Sequence, residues 1–135
     1  MKIIKKEIII EAPAAKVWEH ITDSKKIAGW FHPNTFDARV GAAFTIECCE
    51  GKDGSISGVV KEIVPQKKLV YSFQSEMIGI ETLVTITLAP ENKGTRLTLV
   101  HSGWDALPQD KQNISDQFDG GWGTFLKNLQ ETARN

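Results

Sequence analysis

The sequence predicts an α+β fold in which an antiparallel sheet of seven strands is covered by one long C-terminal helix. Three observations predict it. Residues 112–135, QNISDQFDGGWGTFLKNLQETARN, place Ile114, Phe118, Trp122, Phe125 and Leu129 at three- and four-residue spacings, which is one face of a helix. From residue 36 to residue 102, short alternating runs follow one another at turn-marked intervals, the pattern of a meander and not of βαβ units. One side of most runs is apolar and the other mostly polar, as expected when an antiparallel sheet is covered on one face. The element order is therefore strand, two short helices, six strands, long helix.

Each element has a local cause. Ile3 to Glu11 is rich in β-branched isoleucine and forms the first strand, with Ile8 and Ile10 on one face. Pro13 suits the first turn of a helix, where its missing N–H costs nothing. Ala14, Val17, Trp18 and Ile21 give that helix its apolar side, and His20 lies on its exposed side. Asp23-Ser24 offers a cap for a second short helix, Lys25 to Trp30, which His32-Pro33-Asn34 ends. Phe36 to Arg39 reads as a short strand and Gly41 as a turn. Ala43 to Glu50 puts Phe44, Ile46 and Cys48 on one face, and Gly51-Lys52-Asp53-Gly54 forms a hairpin loop. Ser55 to Val64 has less regular faces, so a bulge is expected near Glu62-Ile63. Lys68 to Ser75 gathers Leu69, Tyr71 and Phe73. Ile80 to Ala89 gathers Val84, Ile86 and Leu88, and Thr95 to Ser102 gathers Leu97, Leu99 and His101. Leu107-Pro108-Gln109 leads to the terminal helix. Inside that helix Gly120-Gly121 is an anomaly, since a helix-interior glycine costs roughly 1 kcal/mol relative to alanine. The expected reason is a need for bare backbone, for close packing or for space beside the sheet.

At 135 residues the chain is expected to be one domain, residues 1–135. A formal charge of −1 gives no basic footprint for nucleic acid, and no apolar run approaches the length of a membrane span. Lys5, Lys6 and Glu7 interrupt the N-terminal isoleucines, so the segment reads as a strand and the expected location is cytoplasmic. Cys48 and Cys49 are adjacent and point to opposite faces of a strand, which disfavours a disulfide between them. No G-x-S-x-G, H-x-x-x-H, G-x-G-x-x-G or phosphate-loop motif occurs, so no metal or cofactor is expected.

Four stretches carry a family resemblance: IEAPAAKVWEHITD followed by IAGWF, GVVKEIVPQKKLVYSF, TRLTLVHSGW, and GGWGTFLKNLQ. In that order they resemble the helix-grip fold of the START and plant-pollen-allergen superfamily, also called SRPBCC. Within it the chain is similar to the branch named for the activator of heat-shock protein 90 ATPase. The resemblance implies a curved sheet wrapped around the terminal helix and a cavity between the two. It implies little about activity, because fold does not determine function.

On that basis a ligand-binding lining is expected from Phe44, Tyr71, Phe73 and His101 on the sheet and from Phe118, Gly121, Trp122 and Phe125 on the helix. Trp30 and Phe31 would stand at the mouth, and Gly121 would face Tyr71, Phe73 and His101. Such a mostly apolar, concave set fits a small hydrophobic molecule. His101 has two readings, a polar handle or general acid–base on one side and a structural histidine bonded to a neighbour on the other. No catalytic residue set is assigned. The leading expectation is non-enzymatic binding of an apolar or aromatic ligand. The alternatives are a co-chaperone-like interaction module, with less support, and a cyclase- or hydrolase-type enzyme. A homodimer is a further expectation, through a sheet edge or the Trp30-Phe31 segment.

Overall fold

The computed structural model describes residues 3–47, 55–74, 80–91, 94–106 and 113–134. Its elements are β1 (Ile4–Ile10), α1 (Ala14–Thr22), α2 (Ser24–Trp30), β2 (Ala43–Glu47), β3 (Ser55–Val64), β4 (Lys68–Phe73), β5 (Thr82–Glu91), β6 (Gly94–Ser102) and α3 (Asn113–Arg134), with a 3₁₀ turn at Trp104–Ala106. The six strands form one curved antiparallel sheet in the order β1-β6-β5-β4-β3-β2. This is the expected α+β architecture with one strand fewer. The expectations for Cys48, Cys49, the Gly51–Gly54 loop, Leu107-Pro108-Gln109 and the side chain of Ile114 lie outside the described residues.

The missing strand is Phe36–Arg39. Asn34 makes a single bridge to Ile46, and Thr35 N–H donates to Thr45 C=O over 2.9 Å. Beyond that point the backbone leaves the sheet edge. Asn34 holds this exit: its Oδ1 accepts from Phe36 N–H, while Nδ2 donates to Ser24 C=O and His32 C=O. Phe36 buries its ring without belonging to a strand, because the irregular segment and not a pleat turns it inward.

Sheet curvature originates in β3, which serves two partners. Residues 55–59 pair with β2 and residues 60–64 pair with β4. The register shifts between Val60 and Glu62, which makes Lys61 the extra residue, slightly earlier than the expected bulge. At Gly58 the strands approach so closely that a Cβ would collide with the Ser72 carbonyl oxygen. Val59 N–H compensates by donating to Ser72 Oγ over 2.8 Å.

The helices cap the open side. Asp23 accepts from Lys25 N–H at 2.9 Å and Lys26 N–H at 3.4 Å, so α2 begins where a side-chain acceptor was expected. On α3 the fully buried stripe is Trp122, Leu126, Leu129 and Ala133, while Phe118 and Phe125 are half-buried. The helix is thus rotated relative to the face expected from its aromatics, with Leu126 pointing inward. Among the described residues no helix is long and apolar enough to cross a membrane.

Candidate functional site

The side chains singled out in the sequence separate into two neighbouring groups joined by Phe31. The first surrounds His101 and is solidly packed. His101 is completely buried at the inward end of β6. Its Nδ1 lies 3.0 Å from Trp122 Nε1, and its Nε2 lies 2.7 Å from Thr82 Oγ1. An indole nitrogen can only donate, so Nδ1 must accept and the ring proton sits on Nε2. That proton goes to Thr82 Oγ1, whose own hydroxyl donates to Phe73 C=O. Trp104 closes the group: its indole donates to His101 C=O over 3.1 Å, and its ring lies 4.5 Å from the imidazole. Phe73 and Phe118 meet each other edge-on at 5.8 Å.

Both imidazole nitrogens are therefore committed. Burial pushes the His101 pKa down to about 3, which keeps the ring neutral. This arrangement matches the structural reading of His101. It leaves no free nitrogen to orient a ligand or transfer a proton.

The second group surrounds a void of about 20 Å³. Trp30, Phe31, Phe36, Phe44 and Tyr71 supply its aromatic wall, and Ile21, Ile27, Ile46 and Ile86 much of the rest. The only other lining side chain is Asn34, whose amide is already bonded to backbone. Tyr71 meets Phe44 edge-on at 5.4 Å and Phe36 at 5.9 Å. Burial raises the Tyr71 pKa, so the phenol stays protonated.

Trp30 does not stand at a mouth. It is buried, and its indole donates to His20 C=O over 2.7 Å. His20 is buried as well, with Nδ1 2.9 Å from Lys16 O; its side of α1 faces the interior and not solvent. Of the Trp30-Phe31 pair, only Phe31 reaches the surface, and it is half-buried. It stacks on Trp30 and on Trp122 at 5.5 Å each and meets Phe125 edge-on at 4.6 Å. His32 lies against both Phe31 and Phe125.

Gly121 does not face Tyr71. It is half-buried, and among the described residues an added Cβ would meet only the Phe125 ring at 3.9 Å; at Gly120 it would meet nothing within 4 Å. Sequence reasoning missed Phe36, Thr82 and Trp104. For Trp104 a signal existed in the preceding Gly103, whose φ of +100° lets the chain fold back so that the indole covers His101. Among the described residues no cluster of three or more potential metal ligands occurs.

Comparison with known proteins agrees with this architecture. A family model described as "Activator of Hsp90 ATPase homolog 1-like protein" matches residues 11–134. Protein MLL2253 from Mesorhizobium loti is similar at 26% identity and a TM-score of 0.83, covering 97% of this chain and 96% of its own. Protein BH1534 from Bacillus halodurans is similar at 30% identity and a TM-score of 0.78, covering 98% and 97%. The Aha1 dimer from Colwellia psychrerythraea shares the fold at 18% identity and a TM-score of 0.82, covering 99% and 97%. No curated protein matches the chain.

Proposed function

The chain belongs to the family of Activator of Hsp90 ATPase homolog 1-like proteins, and from that premise we propose that it binds a small apolar or aromatic molecule without chemically changing it. Residues 1–135 act as one domain in this reading. The observation that carries it is the aromatic-walled void beneath Phe31, closed by a side chain that is itself only half-buried. At about 20 Å³ the void has room for roughly one water molecule, so uptake requires the wall to open. Phe31 is the wall member placed to do so, because it alone among the five aromatic residues of the wall is not buried.

Trp30, Phe31, Phe44 and Tyr71 are the contact residues in this proposal. Phe73, His101, Phe118 and Trp122 form the floor that keeps α3 on the sheet, with Phe125 backing Phe31. The committed state of His101 argues against an enzyme built on that residue.

Native mass spectrometry of the purified protein is the test. A defined small molecule is expected to travel with it, or a neutral aromatic compound from a panel should raise its melting temperature. No adduct and no shift across the panel would overturn the reading. The family description favours a second reading, a chaperone-binding module, which predicts a change in chaperone ATPase rate on addition of the protein. The dimer among the related folds supports a second copy of the chain as a partner, to be read from its sedimentation mass.

A further inference from the structure

Tyr71 is the one lining residue of the void with an uncommitted polar group. Its side chain is 7% exposed, and its hydroxyl makes no hydrogen bond among the described residues. Every side-chain nitrogen or oxygen that is sealed from solvent among those residues does have a partner. The Tyr71 hydroxyl must therefore meet open space, and the void is the space its side chain borders. The hydroxyl is thus open to whatever enters the void, a water molecule or a guest that supplies an acceptor.

The surroundings restrict what that can be. No charged side chain lines the void, so a charged guest would be desolvated without compensation. Phe31 shows the shape of the guest. Its ring lies nearly parallel to the indoles of both Trp30 and Trp122, with interplanar angles of 22° and 19°. An outward turn of that ring would vacate a flat, ring-sized space beside the void that it lines.

We infer that Tyr71 is the specificity-determining residue of a slot for a neutral, single-ring aromatic molecule bearing a hydrogen-bond acceptor, entered by displacement of the Phe31 ring. The inference rests on the ligand-binding reading above and names the ligand class for that site. The Tyr71 hydroxyl donates to the acceptor of the guest, and the guest ring takes the stacking position that Phe31 leaves.

Acetophenone and ethylbenzene differ in a carbonyl oxygen at nearly constant size, which makes them the probes. Their dissociation constants are measured by ligand-observed NMR on the wild type, Tyr71→Phe and Phe31→Ala. Tyr71→Phe should lower the preference for acetophenone over ethylbenzene about tenfold, the loss of roughly one hydrogen bond. Phe31→Ala should bind both compounds about tenfold more tightly with the wild-type preference intact, because the slot is already open. Tyr71→Phe should also be as stable as the wild type, since the hydroxyl it removes has no partner. An unchanged preference in Tyr71→Phe overturns this inference alone. A stability loss typical of a broken buried hydrogen bond does the same, because it reveals a structural partner. Uptake of neither compound by either the wild type or Phe31→Ala overturns the ligand-binding reading and this inference with it.

Discussion

The indole N–H of Trp122 on α3 donates to Nδ1 of His101 on β6 across 3.0 Å, inside a space with no charged neighbour contributing to the imidazole. This bond joins the terminal helix to the sheet at a buried point. Replacing Trp122 with Phe removes the donor, leaves Nδ1 unpartnered and shrinks the packed volume. The expected loss is about 2–4 kcal/mol, combining an unsatisfied buried acceptor with a small cavity. A urea titration followed by circular dichroism measures it, and a loss under about 0.5 kcal/mol would show that the bond contributes little.

Burial of the same imidazole makes stability depend on pH. The native His101 pKa lies near 3, below the unfolded value of about 6.5. The unfolded chain therefore binds more protons between these values. Stability is fully present above pH 6.5 and declines as pH falls through the window toward 3. At pH 5 the expected decrease from this group is about 2 kcal/mol, taken from the 1.5-unit distance below the unfolded pKa. Burial depresses His32 as well, which adds a decrease of the same sign. Denaturant midpoints at pH 7 and pH 5 test this, and His101→Gln should remove most of the difference.

Gly58 is required by contact and not by backbone angle. Alanine there would drive its methyl into the Ser72 carbonyl oxygen and against the Phe44 ring, both fixed by the β3–β4 and β2–β3 pairings. We expect Gly58→Ala to cost about 3 kcal/mol, the upper end for overpacking. Unaltered thermal stability of that variant would refute the close approach.

Gly120 should behave in the opposite way. It is exposed on α3, with nothing described within 4 Å of an added Cβ. Gly120→Ala should stabilise the protein by about 1 kcal/mol through helix propensity. A loss of stability on calorimetry would mean that bare backbone is needed at this point after all.

The sequence exposed those aspects of the fold that repeat along the chain. Alternation identified the six strands and the inward faces of all but β3, including His101 beside Leu97 and Leu99, and the Asp23 cap located the start of α2. It failed where a residue is buried by something other than periodic structure. Phe36 is held inward by an irregular segment that Asn34 pins, and His20 is buried because its side of α1 meets the interior. The candidate site was legible as a set of aromatic residues, but its division was not. Which aromatics fill space and which border a void depends on ring orientation and on partners such as Thr82 and Trp104, distant from one another in the chain. The glycine pair of α3 misled for the same reason, because spacing alone does not say which way Gly121 points.

The pairing of β1 with β6 sets Ile4 opposite His101, and Ile10 opposite Thr95. Joining the first and last strands of the chain in this way has a consequence in time. During synthesis β1 emerges first, yet its sheet partner β6 is the last of the described strands to be made. Contacts this distant along the chain carry a high loop-closure cost and slow folding. The isoleucines of β1 and the apolar sides of α1 and α2 must therefore wait, uncovered, while the β3–β6 meander assembles from local hairpins.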